Sequence, residues 1–390
     1  MPKKKNKIIP LCEPNLSGKE KKYLLNCVNT NYVSTIGNYV EKFEKKVGNF
    51  LKSKYTVSCN SGTSALHLAL RVVGVKSNHE VIVPSISFIA TANAVKYLNA
   101  NPIFMDCDDF LNIDIKKTLN FLREKTLFKN NSCFNKKTGK IIKALIVVHV
   151  LGNAVYLDEL IKVCKKKNIK IIEDSAAALG TKYIKGKYKN RYVGTIADIG
   201  CFSFNGNKII TCGSGGLLVT NYKKYFEQSK YLSTTACDRK LDYTHNALGY
   251  NYRLNNVNAA IGLAQIEKIK FYLQKKKKIF NFYKKNLKKN KKLDILIGPK
   301  YSENNNYISN IICKNNYIKK KIINLFKKNK VQVRSLWKPL HTQKYFRKHE
   351  TYKITNALKY FNQTISIPSS SNIKMTDLIK VASLINNFTK

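Results

Sequence analysis

Acidic side chains are scarce in this 390-residue chain: 23 Asp and Glu stand against 71 Lys and Arg, a formal charge of +48. Long apolar runs are missing too, and nothing approaches the roughly 18 consecutive apolar residues of a membrane-crossing helix. The basic opening MPKKKNK leads into IIPLCEPNLSGKEKK with no apolar h-region and no small-residue cleavage site, so no secretory signal is expected. Ten cysteines are scattered with no CxxC pair, which excludes the common zinc and dithiol motifs and predicts free thiols in a reducing compartment. Together these absences predict a cytoplasmic protein without membrane insertion.

The charge excess raises the question of a nucleic-acid partner. The lysines, however, are spread along the chain and concentrate in helix-like stretches such as 275–292 and 317–330. They accompany an abundance of Asn, Ile and Tyr that points to AT-rich coding. We read them as a solvated surface that attracts anions rather than as a nucleic-acid site.

Short β-branched runs alternate with helical patterns between residues 55 and 221, the rhythm of a mainly parallel sheet wrapped by helices. Strands are predicted at 81–86, 102–106, 143–150, 169–174, 199–204 and 215–220, with helices at 89–97 and 157–167. The polar stretch 125–140 is expected to be an irregular surface excursion. From Leu254 the apolar positions Val257, Ala260, Ile261, Ala264, Ile266 and Ile269 predict one long helix leaving the large domain. The expected division is an N-terminal extension over 1–14, a large domain over 15–265 and a smaller α/β domain over 266–390. No internal repeat is present.

Three motifs carry chemistry. In NSGTSALHLAL (60–70) a strand runs through Ser-Gly-Thr-Ser into an amphipathic helix, where free amides and Gly62 suit a phosphate; an ordinary helix cap fits equally. In IIEDSAAALG (171–180), Asp174 ends an apolar strand, where a carboxylate can hold a pyridinium N–H or merely cap the next helix. Glu173 points the other way. In CFSFNGNKIITCGSGG (201–216), Lys208 lies in a turn between two apolar strands. Desolvation there would suit it to Schiff-base chemistry, although most turn lysines are only solvated, and Ser203 and Asn207 stand ready to serve a phosphate or the lysine.

SGTSAL, EDSAA and SFNGNK, in that order over about 150 residues, resemble the DegT-type (DegT/DnrJ/StrS) family of sugar aminotransferases. The likeness extends through YVSTIGNYVEKFE, EVIVPSISFIATANAV, PIFMDCDDFLNID, HVLGNAVYLDEL, GYNYRLNNVNAAIGLAQIE and RSLWKPLH, nearly the whole chain. It implies the α/β fold-type I aminotransferase architecture and pyridoxal 5′-phosphate as cofactor. Residue by residue it implies Lys208 as the lysine that binds the cofactor and moves the proton, Asp174 as the pyridinium partner, and Phe88 as the ring stacked on the cofactor face. It assigns the phosphate to Gly62, Thr63, Ser64 and Ser203, and to Asn251 from a neighbouring subunit, hence a homodimer.

Lysine rather than histidine at 208 favours transamination over dehydration. HVLGNA, SFNGNKIIT and HNALGYNYRLNN look most like enzymes that aminate UDP-4-keto-6-deoxy-N-acetylglucosamine at C4, on routes to bacillosamine or legionaminic acid, with L-glutamate as donor. C3 amination of a dTDP- or GDP-linked sugar is the alternative, and a non-catalytic PLP-binding or basic interaction protein is a third reading. Two places depart from the pattern: Ala177 stands where the family usually carries a polar side chain, and Cys212-Gly213-Ser214 differs from the more usual Thr-Gly-Glu or Thr-Gly-Gly. His149 reads as structural, and His341, near Trp337, as a residue that can approach the substrate.

Overall fold

Runs of Val, Ile and Leu buried on both faces need a sheet covered by helices on either side, and the computed structural model, which describes residues 8–239 and 241–389, has that arrangement. The opening MPKKKNK lies outside the described residues. The main sheet has eight strands in the order Tyr55–Cys59, Gly216–Thr220, Ile199–Ser203, Lys170–Asp174, Ile142–Val148, Glu80–Pro84, Asn101–Met105 and Thr351–Tyr352. Every neighbouring pair is parallel except the two made by Gly216–Thr220, which is antiparallel to both its neighbours. The link from Ser203 to Gly216 contains no helix to carry the chain back across the sheet, so the strand returns alongside the one it left. A second, antiparallel sheet of Leu293–Ile295, Ser309–Cys313, Thr364–Ile367 and Arg334–Ser335 forms near the C-terminus around its own apolar core, which includes Tyr283, Phe326 and Ile365. The α/β fold-type I architecture expected from the sequence is therefore present.

Three expectations need correction. The segment 125–140 is not irregular: Thr126–Lys129 and Ser132–Asn135 form a hairpin. Its turn, Asn130-Asn131, has positive φ at both residues (47° and 55°), which asparagine tolerates and a tight hairpin requires. The helix after Leu254 is two helices, Asn256–Glu267 and Ile269–Leu287, interrupted at Lys268. Two lysines of the supposedly solvated stretches, Lys276 and Lys319, are buried because their ammonium groups reach backbone carbonyls, those of Tyr307 and Ser369 for the first and Phe361 for the second.

The carboxyl ends of the parallel strands point to one edge of the sheet, and Asp106, His149, Asp174 and Ser203 all lie at or just beyond those ends. Asp106 anchors the C-terminal region there. Its buried carboxylate accepts from the amides of Thr355, Asn356 and Ala357, at the start of helix Asn356–Gln363, and from Lys117 at 2.5 Å. Among the described residues no helix is long and apolar enough to cross a membrane.

Candidate active site

Asp174 is the last residue of its strand, and its side chain is almost completely buried. One carboxylate oxygen accepts from the Thr91 hydroxyl (2.7 Å) and the other from the Ala176 amide (3.2 Å). Burial nonetheless pushes its pKa up, opposed by these two donors and by the charge of Lys208. Thr91 also bonds Ser87 at 2.7 Å, so a chain of buried hydroxyls fixes the carboxylate. Thr91 was not singled out from the sequence. The available signal was its place three residues after Phe88, in the first turn of helix Ala90–Lys96.

Glu173 takes the opposite face, as strand alternation requires. It accepts from the amides of Gly194, Ile196 and Ala197 and pairs with His149 Nε2 at 3.0 Å. Burial disfavours its charge, but these donors outweigh that and hold the pKa below its usual value. The Val155 amide donates to His149 Nδ1, so the ring carries its proton on Nε2 and gives it to Glu173. Both residues are structural here.

Lys208 lies in the turn between Ile199–Ser203 and Gly216–Thr220, with its own amide bonded to the Asn205 carbonyl. The side chain is half-buried, and desolvation is the largest influence on it, pulling its pKa down against the opposing pull of Asp174. A buried acid whose charge is disfavoured thus stands in the field of an amine whose charge is also disfavoured.

The turn before helix Gly62–Val72 is built by its own hydroxyls. Ser61 caps the helix by accepting from the Ser64 amide, and Ser64 Oγ donates to Asn60 Oδ1 at 2.5 Å. The cap reading holds, and the amides of Gly62 and Thr63 have no acceptor within the helix and face the position an anion would take. Ser64 supports this turn from within. At Gly62 a Cβ would lie 2.8 Å from Ser203 Cβ, so its absence lets Ser203 pack against the helix start.

Phe88 is 58% exposed and stands edge-on to Trp337 at 6.4 Å between ring centroids. His341 Nδ1 lies 2.6 Å from Ser85 Oγ, which brings the Trp337–His341 segment against the loop that carries Phe88. Asn251 is exposed, with its carbonyl accepting from Asn60 Nδ2 beside the same helix start. The Asn207 side chain donates to the Tyr307 hydroxyl at 2.9 Å. Ala177 is buried, and its carbonyl accepts from Asn305 Nδ2.

These residues suit pyridoxal phosphate. A pyridinium N–H would give the buried Asp174 carboxylate a charged partner beside its two neutral donors, the helix start offers amides to a phosphate, and the exposed Phe88 ring stands on the loop that leads to Thr91.

Residues 14–386 match the DegT/DnrJ/EryC1/StrS aminotransferase family. The chain is 33% identical over 383 residues to a GDP-perosamine synthase of Escherichia coli O157:H7, covering 98% of this chain and 99% of that protein. It is 31% identical over 350 residues to the UDP-4-amino-4,6-dideoxy-N-acetyl-β-L-altrosamine transaminase of Campylobacter jejuni, covering 88% of each. Among solved structures, Helicobacter pylori PseC, an aminotransferase of pseudaminic acid biosynthesis, superposes with a TM-score of 0.86 at 26% identity over 98% of this chain and 99% of that one.

Proposed function

Because the chain belongs to the DegT/DnrJ/EryC1/StrS aminotransferase family and is a PLP-dependent nucleotide-sugar aminotransferase, we propose that it moves the amino group of L-glutamate to C4 of a nucleotide-linked 4-keto-6-deoxy sugar. The observation that carries the site assignment is that Asp174 ends one strand while Lys208 lies in the turn that follows the adjacent parallel strand, within electrostatic reach of each other.

When bound, the cofactor supplies a carbonyl that condenses with amines and a pyridinium ring that withdraws electrons from the attached carbon. Asp174 holds the proton on the ring nitrogen, and Thr91 keeps the carboxylate aimed. The amides of Gly62 and Thr63, with the Thr63 and Ser203 hydroxyls and the turn built by Ser64, take the phosphate. Phe88, exposed beside Trp337, would lie against one face of the ring. Lys208, with its ammonium form disfavoured, would hold the cofactor and, once free, would be the group to move a proton to and from the carbon bearing the amine, for the donor and for the keto-sugar alike. Holding that amine beside the carbon makes the transfer effectively intramolecular.

The choice of C4 is supported by the 4-amino-4,6-dideoxy sugar in the name of the Campylobacter relative. UDP-4-keto-6-deoxy-N-acetylglucosamine is our first candidate acceptor. A GDP-linked sugar is the second, favoured by the 33% identity to a GDP-perosamine synthase along the full chain. Loading the enzyme with amine from L-glutamate and then offering each 4-keto-sugar separately distinguishes them: a single turnover with the UDP-sugar alone supports the first, and turnover with the GDP-sugar alone overturns it.

We also propose a homodimer in which Asn251 of each copy reaches the other's phosphate site. Leu241, Tyr243 and Leu248, all strongly exposed, lie just before Asn251 and suit burial against a second copy. The division into an extension (1–14), a large domain (15–265) and a small domain (266–390) remains part of this reading, supported by the separate C-terminal sheet and core. Ten free cysteines favour a cytoplasmic location.

A further inference from the structure

Asn305 and Tyr307 lie about 100 residues beyond Lys208 in sequence, between the short strand Ser302–Glu303 and the strand Ser309–Cys313 of the smaller sheet. Their contacts nevertheless run to both halves of the site. Asn305 is buried, and its Nδ2 donates to the carbonyls of Ala177 (2.9 Å) and Leu179 (3.0 Å), in the loop that follows Asp174. Its Oδ1 accepts from the Tyr307 amide at 2.9 Å, and its own amide donates to Thr181 Oγ1. Space for this side chain depends on Gly152, where φ is +90° and a Cβ would stand 2.1 Å from Asn305 Oδ1. An amide with both its donor and acceptor atoms engaged is held in one orientation.

Tyr307 continues the connection to the other half. Its hydroxyl accepts from Asn207 Nδ2 at 2.9 Å, and the centre of its ring lies 5.3 Å from Lys208 Nζ. The Asn207 carbonyl accepts from the Cys12 thiol at 3.2 Å, so the residue before Lys208 is gripped on both its side chain and its main chain. Beneath, the buried Lys276 ammonium donates to the carbonyls of Tyr307 (2.9 Å) and Ser369 (2.6 Å) and to Cys12 Sγ (3.4 Å), joining three distant segments. A three-residue segment therefore bridges the loop after Asp174 and the turn bearing Lys208, both of which are irregular backbone beyond the sheet.

Proton transfer by Lys208 is sensitive to such a bridge, since a misplacement of about 1 Å can cost on the order of a hundredfold in rate. We infer that Asn305 and Tyr307 are positioning residues for amino transfer, holding the loop after Asp174 and the turn that carries Lys208 at a fixed separation. This rests on the reading of Lys208 as the cofactor-binding lysine.

Tyr307→Phe and Asn207→Ala delete the same hydrogen bond from its two ends. Each should slow the single-turnover reaction with L-glutamate about tenfold, as expected for one lost hydrogen bond of about 1.4 kcal/mol, with glutamate affinity changed less than twofold. The double variant should be no slower than the slower single. Asn305→Asp, which keeps an acceptor for the Tyr307 amide and loses the donors to Ala177 and Leu179, should also slow the reaction at least tenfold; if it does not fold, the Tyr307 and Asn207 pair still decides.

A second readout needs no activity. In cofactor-free protein, competitive acetylation of Lys208 across pH should give the same midpoint in Tyr307→Phe as in the parent, because the ring remains. In Tyr307→Leu the midpoint should fall by about half a pH unit, because the aromatic face that favours the ammonium is gone. Rates within twofold of the parent in Tyr307→Phe and Asn207→Ala, a double variant as slow as the product of the singles, or an unmoved midpoint in Tyr307→Leu would each overturn the inference. Borohydride reduction followed by peptide mapping of the parent tests the underlying reading separately, since a label away from Lys208 removes that premise whatever the variants do.

Discussion

Replacing Thr91 by valine removes one hydroxyl and little else, and the consequence can be worked from the geometry. The Thr91 hydroxyl sits 2.7 Å from Asp174 and 2.7 Å from Ser87, with all three side chains buried. A hydrogen bond to a buried charge contributes about 1.5–3 kcal/mol, and valine fills nearly the same volume, so no cavity adds to the loss. Burial already pushes the Asp174 carboxyl upward, and the loss of a donor to its charged form pushes it further. A carboxylate that is less ionised and less well aimed is a poorer partner for a ring nitrogen. If the whole cost appears in the transition state, the half-reaction with L-glutamate slows by about 10- to 150-fold. Stopped-flow absorbance measures that rate, and urea unfolding of the cofactor-free variant measures stability independently. An unchanged rate accompanied by a stability loss of the same size would show that Thr91 serves only the fold, and the reasoning would be refuted.

Other consequences follow from the same structure. Burial opposes the charge of Asp106, but the amides of Asn356, Thr355 and Ala357 and the Lys117 ammonium outweigh it and bring its pKa down to about 2. The resulting stabilisation, about 2 kcal/mol, is fully present above the ordinary carboxylate value and is lost as pH falls from about 4 through 2. Asp106→Asn should therefore lower stability at pH 7 and flatten that acid limb in urea titrations; an unchanged limb would contradict the assignment. Ala177→Gln should slow the glutamate half-reaction, because Ala177 is buried and its carbonyl is held by Asn305, leaving the longer side chain to overpack. A faster reaction with unaltered cofactor binding would show instead that a polar group is missing there. Asn251→Ala should weaken cofactor retention at equilibrium dialysis while leaving thermal unfolding of the cofactor-free protein nearly unchanged, and a fully active monomer at micromolar concentration would refute the shared site.

What the sequence revealed and what it hid divide along chain distance. Asp174 was read from its place at the end of an apolar strand and Lys208 from its place in the turn after the neighbouring one, at the edge where parallel sheets gather ligands. The opposite sense of Glu173 followed from strand alternation, and its cluster of amide donors bears that out. The turn at 60–64 was legible as a helix start, but the tight packing of Gly62 on Ser203 was not, because that contact joins residues 141 positions apart. Thr91 was hidden by its ordinary place in a helix. Asn305 and Tyr307 fell in an Asn-rich stretch with no periodicity, and only the folded chain brings them to Ala177 and Asn207. Lys276 was masked by its neighbours, since nothing in KKKK tells which lysine turns inward. The Asn-Asn hairpin turn was readable in principle, from two residues that tolerate positive φ between four-residue arms.

The account depends most on Lys208, and one measurement addresses it directly. The purified protein, loaded with pyridoxal phosphate, is reduced with borohydride, digested and mapped by mass spectrometry, with Lys208→Ala treated in parallel. The account predicts the reduced cofactor on Lys208 alone among the 390 residues, no label in the variant, and loss of glutamate turnover with it. A label on another lysine, or a Lys208→Ala protein that still turns over glutamate at the parent rate, would contradict it.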